Sequence, residues 1–370
     1  MEDSNRRRRA SRHTVTIQDI ADRAGVSTAT VSRTLANPEF VSVKSRVRVL
    51  RAVTETGYTP NVAARNLRAR RSMKILVVVP NLANPFFAEV LRGIDDELAG
   101  AGYDMIIGNL DNLAEREARY VKLAMSGQVD GVLNLTGRVP KGDGRSMAEL
   151  GLPMAGICAI VPGQNSPHVV VNDRAVSVSV AEHLLGLGHR RFGYISGPAG
   201  NINEIERHAG FLDGLRAAGI DGKAVVRWPG AFNLGSGIAA ARDFLRRGDR
   251  PTAVYAASDE MAIAFMKTLL TAGLEVPGDV SIVGFDGIEF AELVEPTLTT
   301  VRQPRHNLGR MGARALLDEI AGTGSGARII EMPATLIVGD STAPPRAERP
   351  SRAPAKTAVP SEATGGEKRR

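Results

Sequence analysis

The chain of 370 residues has one cysteine, one tryptophan and only 4% aromatic residues. Cys158 can form no internal disulfide, and with no CxxC pair a cysteine zinc site is excluded. It lies in the apolar run "LPMAGICAIV" and reads as a small buried hydrophobe. The six histidines form neither HxxxH nor HExxH, so no metal and no histidine base is expected. A GxxxxGK[ST] loop and a GxSxG elbow are also missing, which removes two frequent catalytic signatures. No cofactor is implied. No stretch approaches the roughly 18 apolar residues that span a membrane. The basic start, "MEDSNRRRRASRHTV", lacks the apolar segment of a secretory signal. A cytoplasmic protein that is not an enzyme is the expectation.

What the chain does have is an uneven charge. Residues 1–71 hold 15 Lys/Arg against 6 Asp/Glu, residues 72–342 hold 25 against 31, and residues 343–370 hold 7 against 3. A basic head on a mildly acidic body suggests that only the head meets a polyanion. A solvated basic tail would explain Arg6 to Arg9, but not Arg33, Lys44, Arg46, Arg48 and Arg51, which lie within a helical pattern.

Residues 1–13 and 343–370 are rich in Pro, Ser, Gly and charge and read as disordered. Between them, Thr16 with Asp19 three residues later predicts a capping box that opens a helix carrying Ile17, Ile20, Ala21 and Ala24. Gly25 ends that helix and Ser27 caps the next, so two short helices meet at a tight turn. This is a helix-turn-helix. A third helix, Lys44 to Thr56, is expected to place Val47, Leu50 and Val53 against the other two. The second helix turns Thr28, Ala29, Thr30, Ser32 and Arg33 outward. In this motif it enters the major groove, where hydroxyls suit phosphates or base edges and a guanidinium fork matches guanine O6 and N7.

From Met73 onward the pattern changes. Continuous Val/Ile runs such as "KILVVVP", "HVVVND" and "VSIVGFD" alternate with amphipathic helices, which implies parallel sheets covered on both faces. About ten strands over some 270 residues are too many for one sheet, so two doubly wound subdomains are expected. "GSGIAA", Gly235 to Ala240, satisfies G-x-G-x-x-A but does not directly follow a strand. It reads as the start of a helix with small residues, not as a dinucleotide site.

"VTIQDIADRAGVSTATVSRTLANP" and "GYTPNVAARNLR", followed by "NPFFAEVLRGI", "LGHRRFGYISGP", "ERHAGF", "VPGDVSIVGFDGIEF" and "PTLTTVRQP", resemble the LacI/GalR family of bacterial regulators across 14–342. The likeness leans to its nucleoside-responsive branch. It implies an all-α helix-turn-helix head at 14–60, a hinge helix and linker at 61–72, and a periplasmic-binding-protein-like α/β body at 73–342. The body's N-subdomain would take about 73–187 and 303–330, and its C-subdomain about 188–302 and 331–342. The resemblance further implies a homodimer on a palindromic operator and leaves a tetramer open. Thr16, Ser27, Thr28, Ala29, Thr30, Ser32 and Arg33 would meet DNA, joined by Asn61, Ala64, Leu67 and Arg68 of the hinge. Leu67 would wedge into the minor groove.

For the body the resemblance implies a small effector, a sugar or a nucleoside, held between the subdomains. Phe86 and Phe87 would stack on it, Arg207 and Asp286 would bind its hydroxyls, and Asn172, Asp173, Phe232, Ser258 and Asp259 fall at further pocket positions. Asn201 stands where purine-responsive members keep an arginine, which argues against a purine. Without that role Arg207 would pair with Glu204 or Glu206 on the surface. The alternative for the body alone is the solute-binding protein of a sugar transporter, disfavoured by the missing signal and the DNA-binding head.

Overall fold

Thr16 opens the first helix as its spacing to Asp19 predicts. Thr16 Oγ1 accepts from the Asp19 amide at 3.3 Å while Asp19 Oδ2 accepts from the Thr16 amide at 2.8 Å. This closed capping box starts α1 (Ile17–Ala24), and Gly25, at φ 60°, ends it in a left-handed turn. Ser27 at once caps α2 (Thr28–Ala36), its Oγ accepting from the Thr30 amide at 3.2 Å. The third helix, α3 (Val43–Thr56), completes a core of Ile20, Ala21, Ala24, Val31, Val49 and Ala52, against which Val53 packs. Val47 and Leu50 do not join it. They are 52% and 47% exposed, because the inward face of α3 runs through Val49, Ala52 and Val53.

The computed structural model describes residues 15–59, 71–111, 113–162 and 164–346. The arm at 1–13, the hinge positions Asn61, Ala64, Leu67 and Arg68, and the chain beyond 346 lie outside the described residues. The chain divides into two units between Ser72 and Met73.

The second unit begins with β1 (Lys74–Val79), α4 (Phe86–Gly100), β2 (Asp104–Asn109), α5 (Ala114–Met125) and β3 (Gly131–Asn134). A small hairpin of β4 (Lys141–Gly142) and β5 (Arg145–Ser146) precedes β6 (Met154–Ile157) and β7 (His168–Val171). Next come α6 (Asp173–Gly186), β8 (Phe192–Ile195), α7 (Ile202–Ala217), β9 (Val226–Trp228), α8 (Leu234–Arg246), β10 (Ala253–Ala256) and α9 (Asp259–Thr271). The unit ends with β11 (Ser281–Asp286), α10 (Phe290–Leu293), β12 (Thr299–Arg302), α11 (Arg305–Ala321), β13 (Ile329–Met332) and β14 (Thr335–Ile337).

These strands form two six-stranded sheets. One has the order β13-β7-β6-β3-β1-β2 and is parallel throughout. The other has the order β14-β12-β11-β10-β8-β9, with only β14 antiparallel. The chain passes between the sheets three times: after β7, after β12 and after β13. The first passage corrects the expected break at 187. Helix α6 belongs with the second sheet, since Ser177 Oγ lies 3.0 Å from the Tyr255 hydroxyl of β10 and Arg174 pairs with Asp213 of α7. Gly210 permits that packing, because a Cβ there would lie 2.1 Å from the Arg174 carbonyl oxygen. The third passage falls after Met332, since β13 pairs with β7 through Met332 opposite Val171.

Two further expectations change. Residues 343–346 are fastened to the body: the Ala343 carbonyl accepts from Ser281 Oγ at 3.0 Å, and Arg346 pairs with Glu275. They are not the start of a disordered tail. The segment "GSGIAA" is the first part of α8, as its position predicts, and Gly237 brings α8 against the Met261 carbonyl of α9.

Candidate functional site

The outward face of α2 sorts its hydroxyls by use. Thr16 and Ser27 spend theirs on helix caps, and Thr30 Oγ1 lies 3.0 Å from Ser27 Oγ. Thr34 is buried, its hydroxyl donating to the Thr30 carbonyl at 2.8 Å. Thr28, Ser32 and Arg33 make no side-chain hydrogen bond among the described residues, and Arg33 and Ala29 are exposed. The first two turns of α2 therefore present two hydroxyls, a methyl and a free guanidinium fork. No acidic side chain lies on the helix.

Between the two sheets lies a cleft of about 360 Å³. Phe86 and Phe87, at the start of α4 just past the carboxyl end of β1, form one wall, with ring centroids 5.1 Å apart at 84°. Arg207 of α7, Phe232 and Asp286, the last residue of β11, form the other. Carboxyl ends of parallel strands are where such sheets bind ligands.

Arg207 is the centre of the far wall. Its Nε donates to Asp173 Oδ1 at 2.8 Å, its Nη1 to the Ala257 carbonyl at 2.7 Å, and Nη1 stands 3.7 Å from Asp286 Oδ1. The Phe285 ring lies beneath it, 3.6 Å from guanidinium carbon to centroid. Burial works against the charge, but Asp173 and Asp286 outweigh it and hold Arg207 above the ordinary arginine range. Nη2 has no hydrogen-bond partner among the described residues, which leaves one edge of the fork unused within the protein.

Asp286 is buried and accepts from Gln303 Nε2 at 3.0 Å. Burial drives its carboxyl well above the usual range, Arg207 opposes this, and Asp259 and Asp173 add to it. Asp286 has φ 127°, and Asp111, Cys158 and Phe232, which also line the cleft, have φ of 50°, 70° and 52°. Gly197 leaves room for the Phe232 ring, since a Cβ there would lie 2.2 Å from its tip.

Four expected pocket residues stand outside this cleft. Asn172 caps α6, its Oδ1 accepting from the Ala175 amide at 3.0 Å. Asp173 holds Arg207 from behind. Ser258 caps α9, and Asp259 accepts from the Ile288 amide and the Thr300 hydroxyl beneath the floor. Asn172 and Asp173 instead line a neighbouring hollow of about 220 Å³ that shares Cys158, Ile202 and Asn203 with the cleft. Cys158 thus belongs to a wall, not merely to the core, and burial pushes its thiol far above the ordinary range. The surface pairing with Glu204 does not occur: that buried carboxylate accepts from Tyr194, the Gly197 amide and Arg227.

The sequence reading missed Asn203, which donates both to the Cys158 carbonyl and to Asp173, and Gln303, which holds Asp286. It also missed Arg138, on the cleft wall and paired with the buried Glu117. None carries a motif; only proximity across the fold marks them.

Residues 16–61 match the lacI family of bacterial regulatory proteins, and residues 181–342 match a periplasmic binding protein-like domain. The HTH-type transcriptional repressor CytR of Escherichia coli K12 is 37% identical over 332 residues, covering 88% of this chain and 96% of its own length. A structure of the transcriptional regulator CelR with cellobiose shares 32% identity, with TM-score 0.67, over 89% of this chain and 100% of that one. The lac repressor dimer bound to operator superposes with TM-score 0.78 at 26% identity, over 89% and 99% of the two chains. With a helix-turn-helix head, a two-sheet body and a relative this similar along nearly all its length, the chain belongs to the LacI family of transcriptional regulators.

Proposed function

We propose that the chain is a dimeric repressor of transcription that grips a palindromic operator through α2 and is switched by a small polyhydroxylated effector, a sugar or a nucleoside. The observation that carries the effector reading is the Arg207–Asp286 pair: a buried fork with one free edge beside a carboxyl, opposite two phenylalanine rings. A fork and a carboxyl take vicinal hydroxyls, and the rings cover an apolar ring face. Similar regulators have been solved with cellobiose and with ribose, both of this chemical class.

In the head, Thr28, Ala29, Ser32 and Arg33 read the major groove, while Thr16 and Ser27 position the helix start near phosphates. The protein acts in the cytoplasm and by binding, not turnover. Its cleft carboxyls and guanidinium are held by one another, which suits recognition more than proton transfer. Among the described residues no helix is long and apolar enough to cross a membrane. Selection from randomised duplex DNA followed by operator titration, with and without candidate effectors, tests the whole reading. A chain that selects no palindrome, or whose affinity for the selected site ignores every sugar and nucleoside, is not this kind of regulator.

A further inference from the structure

Whether the effector carries a phosphate is decided by which charges in the cleft are free. Two basic side chains line it, and both are already paired among the described residues. Arg207 faces two carboxyls, Asp173 and Asp286, and Arg138 is bound to Glu117. No lysine or histidine lines the cleft among the described residues. The other common anion site, a helix N-terminus, is present three times among the described residues, and each time an asparagine side chain already takes one of its amides. Asn84 Oδ1 accepts from the Phe86 amide at 2.8 Å at the start of α4. Asn201 Oδ1 accepts from the Glu204 amide at 3.1 Å at the start of α7, and Asn233 Oδ1 from the Ser236 amide at 3.0 Å at the start of α8. All three asparagines line the cleft. Two of those helices also carry an acid in their first turn, Glu89 in α4 and the buried Glu204 in α7. A phosphate would therefore meet capped helices, neutralised guanidinium groups and nearby carboxylates. Hydroxyls need none of those charges, since they can donate to Asp286 and accept from Arg207 Nη2.

We infer that the cleft takes an uncharged effector and rejects its phosphate ester. This rests on the polyol reading of the cleft and narrows it. The regulator would then report a sugar or nucleoside released by hydrolysis or imported unmodified, before any kinase transfers phosphate to it.

The full chain is tested by thermal shift and then titration calorimetry with matched pairs: ribose and ribose 5-phosphate, cellobiose and its 6-phosphate, cytidine and adenosine with their 5′-monophosphates. Inorganic phosphate is run at equal ionic strength as a probe of the anion site alone. The expected result is that each ligand that binds is a neutral member, with its ester bound at least about 100-fold more weakly, since like charges brought together oppose binding. Binding should be lost in Arg207→Lys, which keeps the charge and removes the fork. Glu117→Gln, which releases Arg138 without touching the cleft, should narrow the gap between ester and parent. An ester that binds as tightly as its parent, or Arg207-dependent stabilisation by inorganic phosphate, overturns the inference and leaves the polyol cleft standing. An unchanged gap in Glu117→Gln also overturns its charge-pairing basis. Neutral ligands that bind Arg207→Lys as well as the parent chain would instead overturn the polyol reading itself.

Discussion

The head and the cleft solve opposite recognition problems. On α2, Arg33, Thr28 and Ser32 are left without internal partners among the described residues, and they form the surface proposed to meet DNA. At the centre of the cleft Thr136, Arg207 and Asp286 are buried and bonded to other protein atoms, with Arg207 Nη2 left over. A long polyanion can be drawn in by net charge and matched by mobile side chains, and its counterions leave on binding. A small neutral ligand offers no such pull, so affinity must come from groups fixed in advance in a place shielded from water. Free groups therefore mark the surface that reads a polymer, and restrained groups mark the pocket that reads a metabolite.

That contrast predicts where mutations hurt. The largest effect should come from Arg207→Ala, which strands Asp173 and Asp286 as buried carboxyls without their cation and should cost about 3–5 kcal/mol of body stability. Urea unfolding measures it, and a loss below about 1 kcal/mol would mean the pair is solvated. Arg33→Ala should do the reverse: no change in unfolding, but a loss of about 1–3 kcal/mol in operator affinity for each guanine it reads, with relaxed preference there. Equal affinity for sites randomised at each position would remove Arg33 from the reading surface.

Next in size, Gln303→Ala should separate binding from response. Gln303 holds Asp286 and lies where the chain passes from β12 to α11, so it ties that carboxyl to a passage between subdomains. Ligand affinity should change only a few-fold while the shift in operator affinity shrinks by about 0.5–2 kcal/mol. Operator titrations at saturating ligand test this, and an intact shift refutes it. The proton balance of Asp286 gives a gentler signature. Its folded carboxyl holds its proton above the usual carboxylate range, chiefly through burial, so the native state binds more protons than the unfolded state in the window above that range. Stability should therefore fall as pH rises through the window, and Asp286→Asn should flatten the fall. Urea midpoints taken from acid to neutral pH would show it; identical slopes in parent and variant would not fit.

The smallest effect is expected in the head. Leu50→Ser should change stability by no more than about 0.5 kcal/mol, whereas Val49→Ala, one residue away, should cost about 2 kcal/mol. Thermal unfolding of the two variants decides which face of α3 is inside.

That last pair also shows what the sequence could reveal. The capping box, the Gly25 stop and the two-sheet body were legible because each depends on local chemistry or on a repeating apolar period. The face of α3 was not, because Val47, Val49, Leu50 and Val53 are all apolar and periodicity alone does not choose among them. The first passage between sheets was hidden for a related reason. "HVVVND" followed by an amphipathic helix looks like any other strand and helix of a parallel sheet, and only the contacts of Ser177 and Arg174 show that α6 has changed partners. In the cleft, Arg207, Asp286, Phe86, Phe87 and Phe232 line the walls. Asp173, Ser258 and Asp259 support those walls from behind, a difference of one layer that a motif does not encode.

The left-handed backbones of Asp111, Cys158, Phe232 and Asp286 have a consequence for how this protein could change over generations. Side chains in such conformations cost on the order of 1–3 kcal/mol each unless their surroundings compensate. Four of them around one cleft mean that the chain is less robust than its packed interior alone would make it. Glycine at any of these positions would relax the backbone while erasing a wall of the pocket. Selection for heat tolerance alone would therefore tend to erode ligand control before it touched DNA binding, leaving a sturdier protein that no longer listens.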